Sequence, residues 1–206
     1  MKKNRTHPQK GDWGYYRYEK KKRLVINIFL YAICLIIYFT GLIRTGTNKN
    51  MFTLIAILGV LPSAKWTTSL IMMLLQKSPS QEIHEVTEKA AGDLVHGYEL
   101  CVTAYEGRLS LAAVVVCGNS VAAYSEDKPG RDEFMETHIR KILHENNLGN
   151  PKVKIFRKLD PYKERITQLA AAPDKYREGL KYTPDEAHAG ETRDEAVLRI
   201  IKNISL

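Results

Sequence analysis

The stretch LVINIFLYAICLIIYFTGLI, residues 24–43, decides the fold of this chain. It runs for twenty residues without a charge, and only Asn27 and Thr40 are clearly polar. A helix rises about 1.5 Å per residue, so this run covers the roughly 30 Å hydrocarbon core of a bilayer. A helix also satisfies its own backbone groups, as lipid requires. The run is too long for a typical signal core and no small-residue cleavage pattern follows it, so we predict a first transmembrane helix over 24–43.

A second apolar stretch, FTLIAILGVLPSAKWTTSLIMMLLQK, follows at residues 52–77 after a polar connector at 44–51. Pro62 removes a backbone donor and favours a kink, and a lysine such as Lys65 is costly at mid-bilayer unless it pairs, snorkels or faces water. We predict a transmembrane helix over 52–76, kinked near Pro62. Two alternatives stay open: Pro62 and Lys65 line an intramembrane polar site, or the stretch is re-entrant or interfacial.

The positive charge is concentrated before the first apolar run. Residues 1–23 carry nine basic residues against Asp12 and Glu19, whereas the 44–51 connector holds only Arg44 and Lys49. The positive-inside rule therefore predicts that both termini are cytoplasmic and that the connector is external. The nine basic residues are Lys2, Lys3, Arg5, Lys10, Arg17, Lys20, Lys21, Lys22 and Arg23.

This segment accounts for most of the formal net charge of +8. From Ser78 onward the chain holds 18 basic and 21 acidic residues, so the high pI does not describe a basic soluble domain. Trp13, Tyr15, Tyr16 and Tyr18 interleave with the charge, which is typical of a segment at the headgroups of anionic lipids. Basic and aromatic residues together can also bind nucleic acid, but the adjoining membrane helix explains them more simply.

Residues 78–172 read as one cytoplasmic α/β (α+β) domain, and 173–206 as a polar linker with a C-terminal helix. We predict the order αβββαβα and a mixed sheet, hence a sandwich-like architecture. The predicted helices are one that Ser78 opens and that stops near Gly97, one from about Arg131, one from Asp160, and a last one with a capping box made by Thr192 and Glu195. The predicted strands are 98–104, 109–117, 120–124 and 153–156. Residues 183–186 could cap a further short helix.

The cysteines and histidines carry no metal spacing. Cys34 lies in the first apolar run, and Cys101 and Cys117 read as small buried hydrophobes; a turn at Glu106–Gly107 would place Cys101 opposite Ala112. His84 and Glu88 share a helix face and could bind a metal, but a solvated helix surface is the favoured interpretation. We therefore predict no cofactor and no metal.

The element order is also that of the core of restriction-endonuclease-like nucleases. Such enzymes need an acidic residue at the start of the second strand and an acidic–x–Lys pair on the third, to hold Mg²⁺ and activate water. Here those strands read Leu109-Ser110-Leu111 and SVAAY, and Glu126 and Asp127 lie beyond the third strand. We name no catalytic residue, and Glu126 and Asp127 are the candidate loop carboxylates of a degenerate site.

Three segments together carry a resemblance: LIAILGVLPSAKWTTSLIMMLL (54–75), YELCVTAYEGRLSLAAVVVCGNSVAAYSEDK (98–128) and KVKIFRKLDPYKERI (152–166). They resemble a family of uncharacterised two-transmembrane-helix membrane proteins of gut Firmicutes, some automatically labelled "O-linked GlcNAc transferase-like". The resemblance implies a bacterial plasma-membrane protein and supplies no activity. The chain lacks the helical repeats and nucleotide-sugar domain that the label would require.

The sequence thus predicts a bacterial inner-membrane protein with a helical hairpin and a cytoplasmic α/β domain. The favoured function is a non-enzymatic adaptor or assembly module that binds a protein partner or a second copy of itself. A membrane-tethered hydrolase or nuclease with a degenerate site is the first alternative, and a small transporter subunit using Lys65 is the second.

Overall fold

The computed structural model describes residues 7–105, 107–184 and 188–206. The predictions that fall on Lys2, Lys3, Arg5, Glu106 and 185–186 therefore lie outside the described residues. The chain forms two compact units: Tyr16–Lys77 is one, and the residues up to Tyr15 together with Ser78–Leu206 form the other. The residues just before the first apolar helix thus belong with the C-terminal α/β unit, which the sequence did not predict.

The first unit is a pair of long helices, α1 (Tyr15–Thr45) and α2 (Met51–Leu74). α1 begins nine residues before the predicted span, because the basic residues ahead of Leu24 continue the helix. Asn50 begins α2 as its N-cap, and its side chain accepts a hydrogen bond from Thr53 N at 2.8 Å. α2 continues as one helix through Pro62.

In each of the two helices, buried positions recur every seven residues. They are Asn27, Cys34 and Gly41 in α1 and Ala56, Ser63 and Leu70 in α2, with further buried residues near the Tyr16 end. A seven-residue repeat is the signature of a left-handed helix pair, and small side chains at such a seam let membrane helices approach closely. The approach is close at Gly59, where an added Cβ would lie 3.0 Å from Cys34 Sγ.

Both helices are long and apolar enough to cross a membrane. In the most apolar 18 residues of each helix, only 17% is buried. All but two of the exposed large hydrophobic side chains among the described residues lie between Leu24 and Leu75. A core helix of a soluble protein would bury such a face, so this surface is of the kind that lipid covers.

The second unit is built on a four-stranded mixed sheet of order β1-β2-β3-β4. The strands are β1 (Val95–Ala104), β2 (Gly107–Cys117), β3 (Ser120–Tyr124) and β4 (Lys152–Phe156). β2 is antiparallel to both β1 and β3, and β4 is parallel to β3. The mixed α+β architecture is therefore as predicted.

Helices cover both faces of the sheet. α3 (Gln81–Ala91) and α5 (Leu159–Ala171) pack on one face, where Ile83, Tyr162 and Ile166 are buried. α4 (Asp132–Glu145) and α7 (Arg193–Asn203) pack on the other, with Met135, Ile139 and Ile201. A short helix, α6 (Pro173–Arg177), follows α5 after a break at Ala172. The capping box of Thr192 and Glu195 at the start of α7 is confirmed.

Three local predictions were wrong. The first helix ends at Gly92, whose φ of 54° suits glycine, and not near Gly97, which lies inside β1. α5 begins at Leu159 rather than at Asp160, with Lys158 in its N-cap position. Cys101 pairs with Ser110, not Ala112, because Ala104 pairs directly with Gly107, so the hairpin turns one residue earlier in the chain than predicted.

In β1, the apolar residues at 98, 100, 102 and 104 alternate with Glu99, Cys101 and Thr103, a pattern that predicts a half-buried strand, but the strand is buried on both faces at its centre. Glu99 has a φ of 53° and marks a break in the β1–β2 ladder, which runs from the pair Tyr98–Ala113 directly to the pair Leu100–Leu111. Across this point the faces switch: Tyr98 joins the cluster under α3 and α5, whereas Leu100 joins the one under α4 and α7. Strict alternation would place both on one face.

Each edge of the sheet is covered by the chain itself. Along β1, Gly11 O accepts from Tyr98 N at 2.9 Å, and the C-terminal tail pairs through Thr103 N with Ile204 O and through Leu206 N with Cys101 O. Along β4, the buried Glu136 carboxylate of α4 accepts from Ile155 N at 2.8 Å. Covered edges protect a sheet against pairing with other chains.

Candidate functional site

The candidate loop carboxylates follow β3 and have different surroundings. Glu126 is exposed, whereas Asp127 Oδ2 accepts a hydrogen bond from Ser110 N at 2.7 Å, near the start of β2. Ser125 Oγ donates to Ser110 O at 2.6 Å and thereby closes the same end of the sheet. Asp127 thus holds the loop against β2, and its Oδ2 atom is already a hydrogen-bond acceptor.

Arg157, directly after β4, binds this loop from the other side. Its Nε donates to Asp132 Oδ2 at 2.9 Å and its Nη2 to Lys128 O at 3.2 Å, and it also bonds Asp127 O. The guanidinium therefore bonds the backbone of the loop that carries the candidate carboxylates. An always-charged cation there opposes binding of a divalent ion.

Tyr124, the last residue of β3, lies at the same end of the sheet. Burial raises the pKa of its hydroxyl above the ordinary tyrosine value, and the nearby carboxylates of Glu126 and Glu82 raise it further. Glu82, in the first turn of α3, thus acts electrostatically on Tyr124. The sequence did not associate Glu82 with Tyr124, because no local pattern connects residues 82 and 124.

Pro62 and Lys65, the candidate intramembrane residues, lie one helical turn apart on α2 and are both exposed. They are not among the buried positions that pair α2 with α1. The Lys65 side chain makes no hydrogen bond or ion pair with any described residue. The structure thus places these two residues on the outer surface of the hairpin rather than at the helix pair's seam.

The polar groups at the seam are different residues. Thr67 Oγ1 lies 3.2 Å from Asn27 Oδ1 and 3.1 Å from the Tyr31 hydroxyl, and it also donates to the helix backbone. Arg23 Nη1 donates to Ser69 Oγ at 2.7 Å, and its Nε donates to Glu19 at 3.0 Å. These bonds fix the antiparallel register of the hairpin.

A cluster of aromatic and titratable side chains lies between α3 and β1. Glu88 Oε1 accepts from the Tyr98 hydroxyl at 3.1 Å, and His96 Nε2 and His84 Nε2 lie 3.2 and 4.0 Å from the same oxygen. Burial, followed by the Glu88 charge, raises the pKa of Tyr98 well above its ordinary range. The helix face of His84 and Glu88, which the sequence predicted to be solvated, is thus only partly exposed, because Tyr98 and His96 pack against it.

Trp13 packs on this cluster from the N-terminal segment. Its ring lies 4.6 Å from His84 and 5.7 Å from Tyr98, in edge-to-face geometry. We call residues 9–14 the strap. Besides Gly11, the strap is held by Gly14 N, which donates to the Glu99 carboxylate at 3.2 Å, and by Lys10, which bonds Ser205 O. The strap directly precedes α1 in the chain.

A third polar cluster holds the β2–β3 turn. The buried Asp194 carboxylate accepts from Gly118 N at 2.8 Å and from Arg177 Nε at 2.9 Å. Burial raises the pKa of the neighbouring Cys117 thiol, and the Asp194 charge raises it further. A raised thiol pKa disfavours the nucleophilic thiolate, so Cys117 serves as a packed core residue. All three cysteines are free and buried.

One large aromatic side chain stands out on the α/β unit. Tyr105, at the tip of the β1–β2 hairpin, is fully exposed. Among the described residues of this unit, the only other large hydrophobic side chain that is exposed is Leu206. Tyrosine is among the residues that dominate binding energy at protein interfaces.

The comparisons with known proteins gave no match to a family model, to a curated protein or to a solved structure. Within residues 7–105, 107–184 and 188–206, no group of three or more His, Cys, Asp or Glu side chains is arranged to hold a metal ion.

Proposed function

We propose that this protein is a bacterial plasma-membrane protein whose hairpin crosses the bilayer and whose α/β domain is a non-enzymatic adaptor or assembly module in the cytoplasm. The exposed apolar surface of α1 and α2 supports the membrane part. The basic residues at the start of α1 favour the cytoplasm for that end, by the positive-inside rule.

The strap supports the proposed topology independently of charge. Residues before α1 pack on a domain that follows α2, through Trp13 and through Gly11 O. A chain whose two flanks touch the same domain has both flanks on one side of the membrane. Two spans, rather than one, satisfy this requirement.

The observation that carries the adaptor function is the fully exposed Tyr105, on a domain in which Leu206 is the only other exposed large apolar side chain among the described residues. An isolated exposed aromatic at a hairpin tip is a suitable anchor for a protein partner. The covered sheet edges support a side-chain contact of this kind rather than strand addition.

Site-specific photo-cross-linking in cells tests the adaptor function. A photoreactive phenylalanine analogue replaces Tyr105 in one strain and Lys141, on the exposed face of α4, in the control strain. We expect Tyr105 to capture one reproducible foreign protein that also co-purifies with the wild-type chain and is lost from Tyr105→Ser. Capture of this chain alone, or an equal yield from Lys141, would reject Tyr105 as the partner site.

A nuclease-like or hydrolytic function remains the alternative, and the sheet supports it. Strand order β1-β2-β3-β4 with β2 antiparallel to its neighbours and helices on both faces resembles the restriction-endonuclease-like architecture that the sequence suggested. The chemistry opposes it, because residues 107–111 at the start of β2 hold no carboxylate and Arg157 bonds the loop that holds Asp127. If Glu126→Ala combined with Asp127→Asn leaves the cellular phenotype of the gene intact, this alternative is abandoned.

The second alternative, a transporter subunit that uses Lys65 and Pro62, has weaker support. Both side chains are exposed on the outer surface of α2, where they need a partner subunit to line a path. Lys65→Leu with an unchanged phenotype would remove this alternative.

A further inference from the structure

The basic residues at the start of α1 have two different roles. Two of them are engaged within the hairpin: Arg23 bonds Ser69, and Lys20 Nζ donates to Gln76 O at 2.5 Å. Arg17 and Lys21 are exposed, and their side chains make no hydrogen bond or ion pair with the described residues. The sequence shows one basic run, whereas the structure separates hairpin-binding from outward-facing cations.

The helix register sets which part of α2 lies beside these cations. Arg23 lies next to Ser69 and Lys20 next to Gln76, and the helices are antiparallel. The last turns of α2, which follow Ser69, are therefore at the level of the turns of α1 that precede Arg23. Here the end of α2 and its C-cap residue expose four large apolar side chains, Ile71, Met72, Leu74 and Leu75, at 42–60%.

At the same height along the hairpin axis, this end thus exposes apolar side chains and two cations that pair with none of the described residues. We define the collar as Arg17, Lys21, Ile71, Met72, Leu74 and Leu75. Water alone does not stabilise such apolar exposure, and hydrocarbon alone does not stabilise the cations. The boundary between acyl chains and phosphates accommodates both, with the apolar groups inward and the cations at the headgroups.

The charge of the hairpin makes the ligand anionic. Tyr16–Lys77 contains nine Lys/Arg residues and a single acidic one, Glu19. Glu19 is already bonded to Arg23 and lies 3.2 Å from Lys22. No carboxylate of the hairpin is therefore left to neutralise Arg17 and Lys21.

We propose that the collar binds the headgroups of anionic phospholipids, with Arg17 and Lys21 as the phosphate-binding residues. This inference rests on the proposed membrane insertion and deepens it, because it assigns the lipid contact to two of the basic residues and excludes Lys20 and Arg23. Lys20 and Arg23 set the hairpin register instead.

The test uses full-length protein in lipid nanodiscs. Brominated phosphatidylglycerol competes with phosphatidylcholine, and quenching of Trp66 fluorescence in a shared Trp13→Phe background gives the relative binding constant. The variant is Arg17→Gln with Lys21→Gln. The matched control, Arg44→Gln with Lys49→Gln, removes two charges at the connector end.

We expect the preference for phosphatidylglycerol to fall about fivefold for each collar cation removed, since a basic residue at an anionic surface contributes about 1 kcal/mol. The control variant should retain the wild-type preference. Equal losses in both variants, or no loss in either, would overturn the proposal, as would full competition by soluble glycerol phosphate. Failure of the wild-type chain to enter nanodiscs would instead count against the membrane insertion itself.

Discussion

Replacing Trp13 by alanine should release the strap from the α/β domain. The indole makes edge-to-face contacts with His84 and Tyr98, and aromatic pairs contribute about 0.5–1.5 kcal/mol each beyond their buried area. Loss of both contacts therefore costs about 1–3 kcal/mol of local stability. Since 1.4 kcal/mol is a factor of ten in an equilibrium constant, the open population of the strap should rise about 5- to 150-fold.

Hydrogen exchange at Tyr98 measures this opening. The Tyr98 amide donates to Gly11 O, so its protection depends on a docked strap. Exchange of the peptide that contains Tyr98 should accelerate in Trp13→Ala, while peptides of β3 keep the wild-type rate. Trp66→Ala is the matched control, because it removes the other tryptophan from the helix-pair unit. Unchanged protection of the Tyr98 amide in Trp13→Ala would show that the Trp13 contacts do not hold the strap on the domain.

Three further predictions concern stability. Asp194→Ala should destabilise the α/β domain by about 2–3 kcal/mol in thermal or denaturant unfolding, because it leaves the buried Gly118 N–H without its acceptor. Arg177→Gln should destabilise the domain less, since the Arg177 side chain is 45% exposed. Equal losses of stability in the two variants would contradict this prediction. Glu195→Ala should remove about 1 kcal/mol of capping stability at neutral pH. The Thr192 hydrogen bonds lower the pKa of Glu195 in the folded state, so this stabilisation is present above the unfolded pKa and is lost as pH falls through the folded one. A full difference that persists at acid pH would be inconsistent with this assignment. Gly59→Ile should lower the unfolding free energy of the helix pair in detergent by about 1–3 kcal/mol, because the new side chain meets Cys34 Sγ. Val60→Ile, on the exposed surface, should leave that free energy unchanged. A larger loss for Val60→Ile than for Gly59→Ile would place the contact between the helices elsewhere.

Local signals predicted the parts of the fold that depend on local physics. The charge-free run at 24–43, the capping box at Thr192 and the apolar stretch of β2 each point to one structure whatever the rest of the chain does. The element order and the mixed sheet follow from them.

The features that the sequence did not reveal are set by long-range contacts. The switch of faces at Glu99 requires a positive φ that glutamate rarely adopts, so the alternating pattern gave the wrong face for Tyr98. The role of Glu88 depends on His96 and Tyr98, and that of Trp13 on a domain more than sixty residues away. Charge runs and helical patterns contain no information about such pairings.

For the candidate sites, the sequence located the residues but not their surroundings. Asp127 follows β3 as predicted, and only the structure reveals that Ser110 N and Arg157 engage its loop. In the same way, the sequence identified the basic residues before Leu24, and only the helix register separates Arg17 and Lys21 from Lys20 and Arg23.

The most direct test of the account is labelling of single cysteines from outside the cell. His7→Cys, Lys49→Cys and Lys181→Cys place a thiol before α1, in the connector and in the α/β domain, at positions that are exposed. We expect a membrane-impermeant maleimide to label position 49 in intact cells, and to label positions 7 and 181 only after the membrane is opened. Labelling of positions 7 and 181 from opposite sides would contradict the hairpin and the strap together.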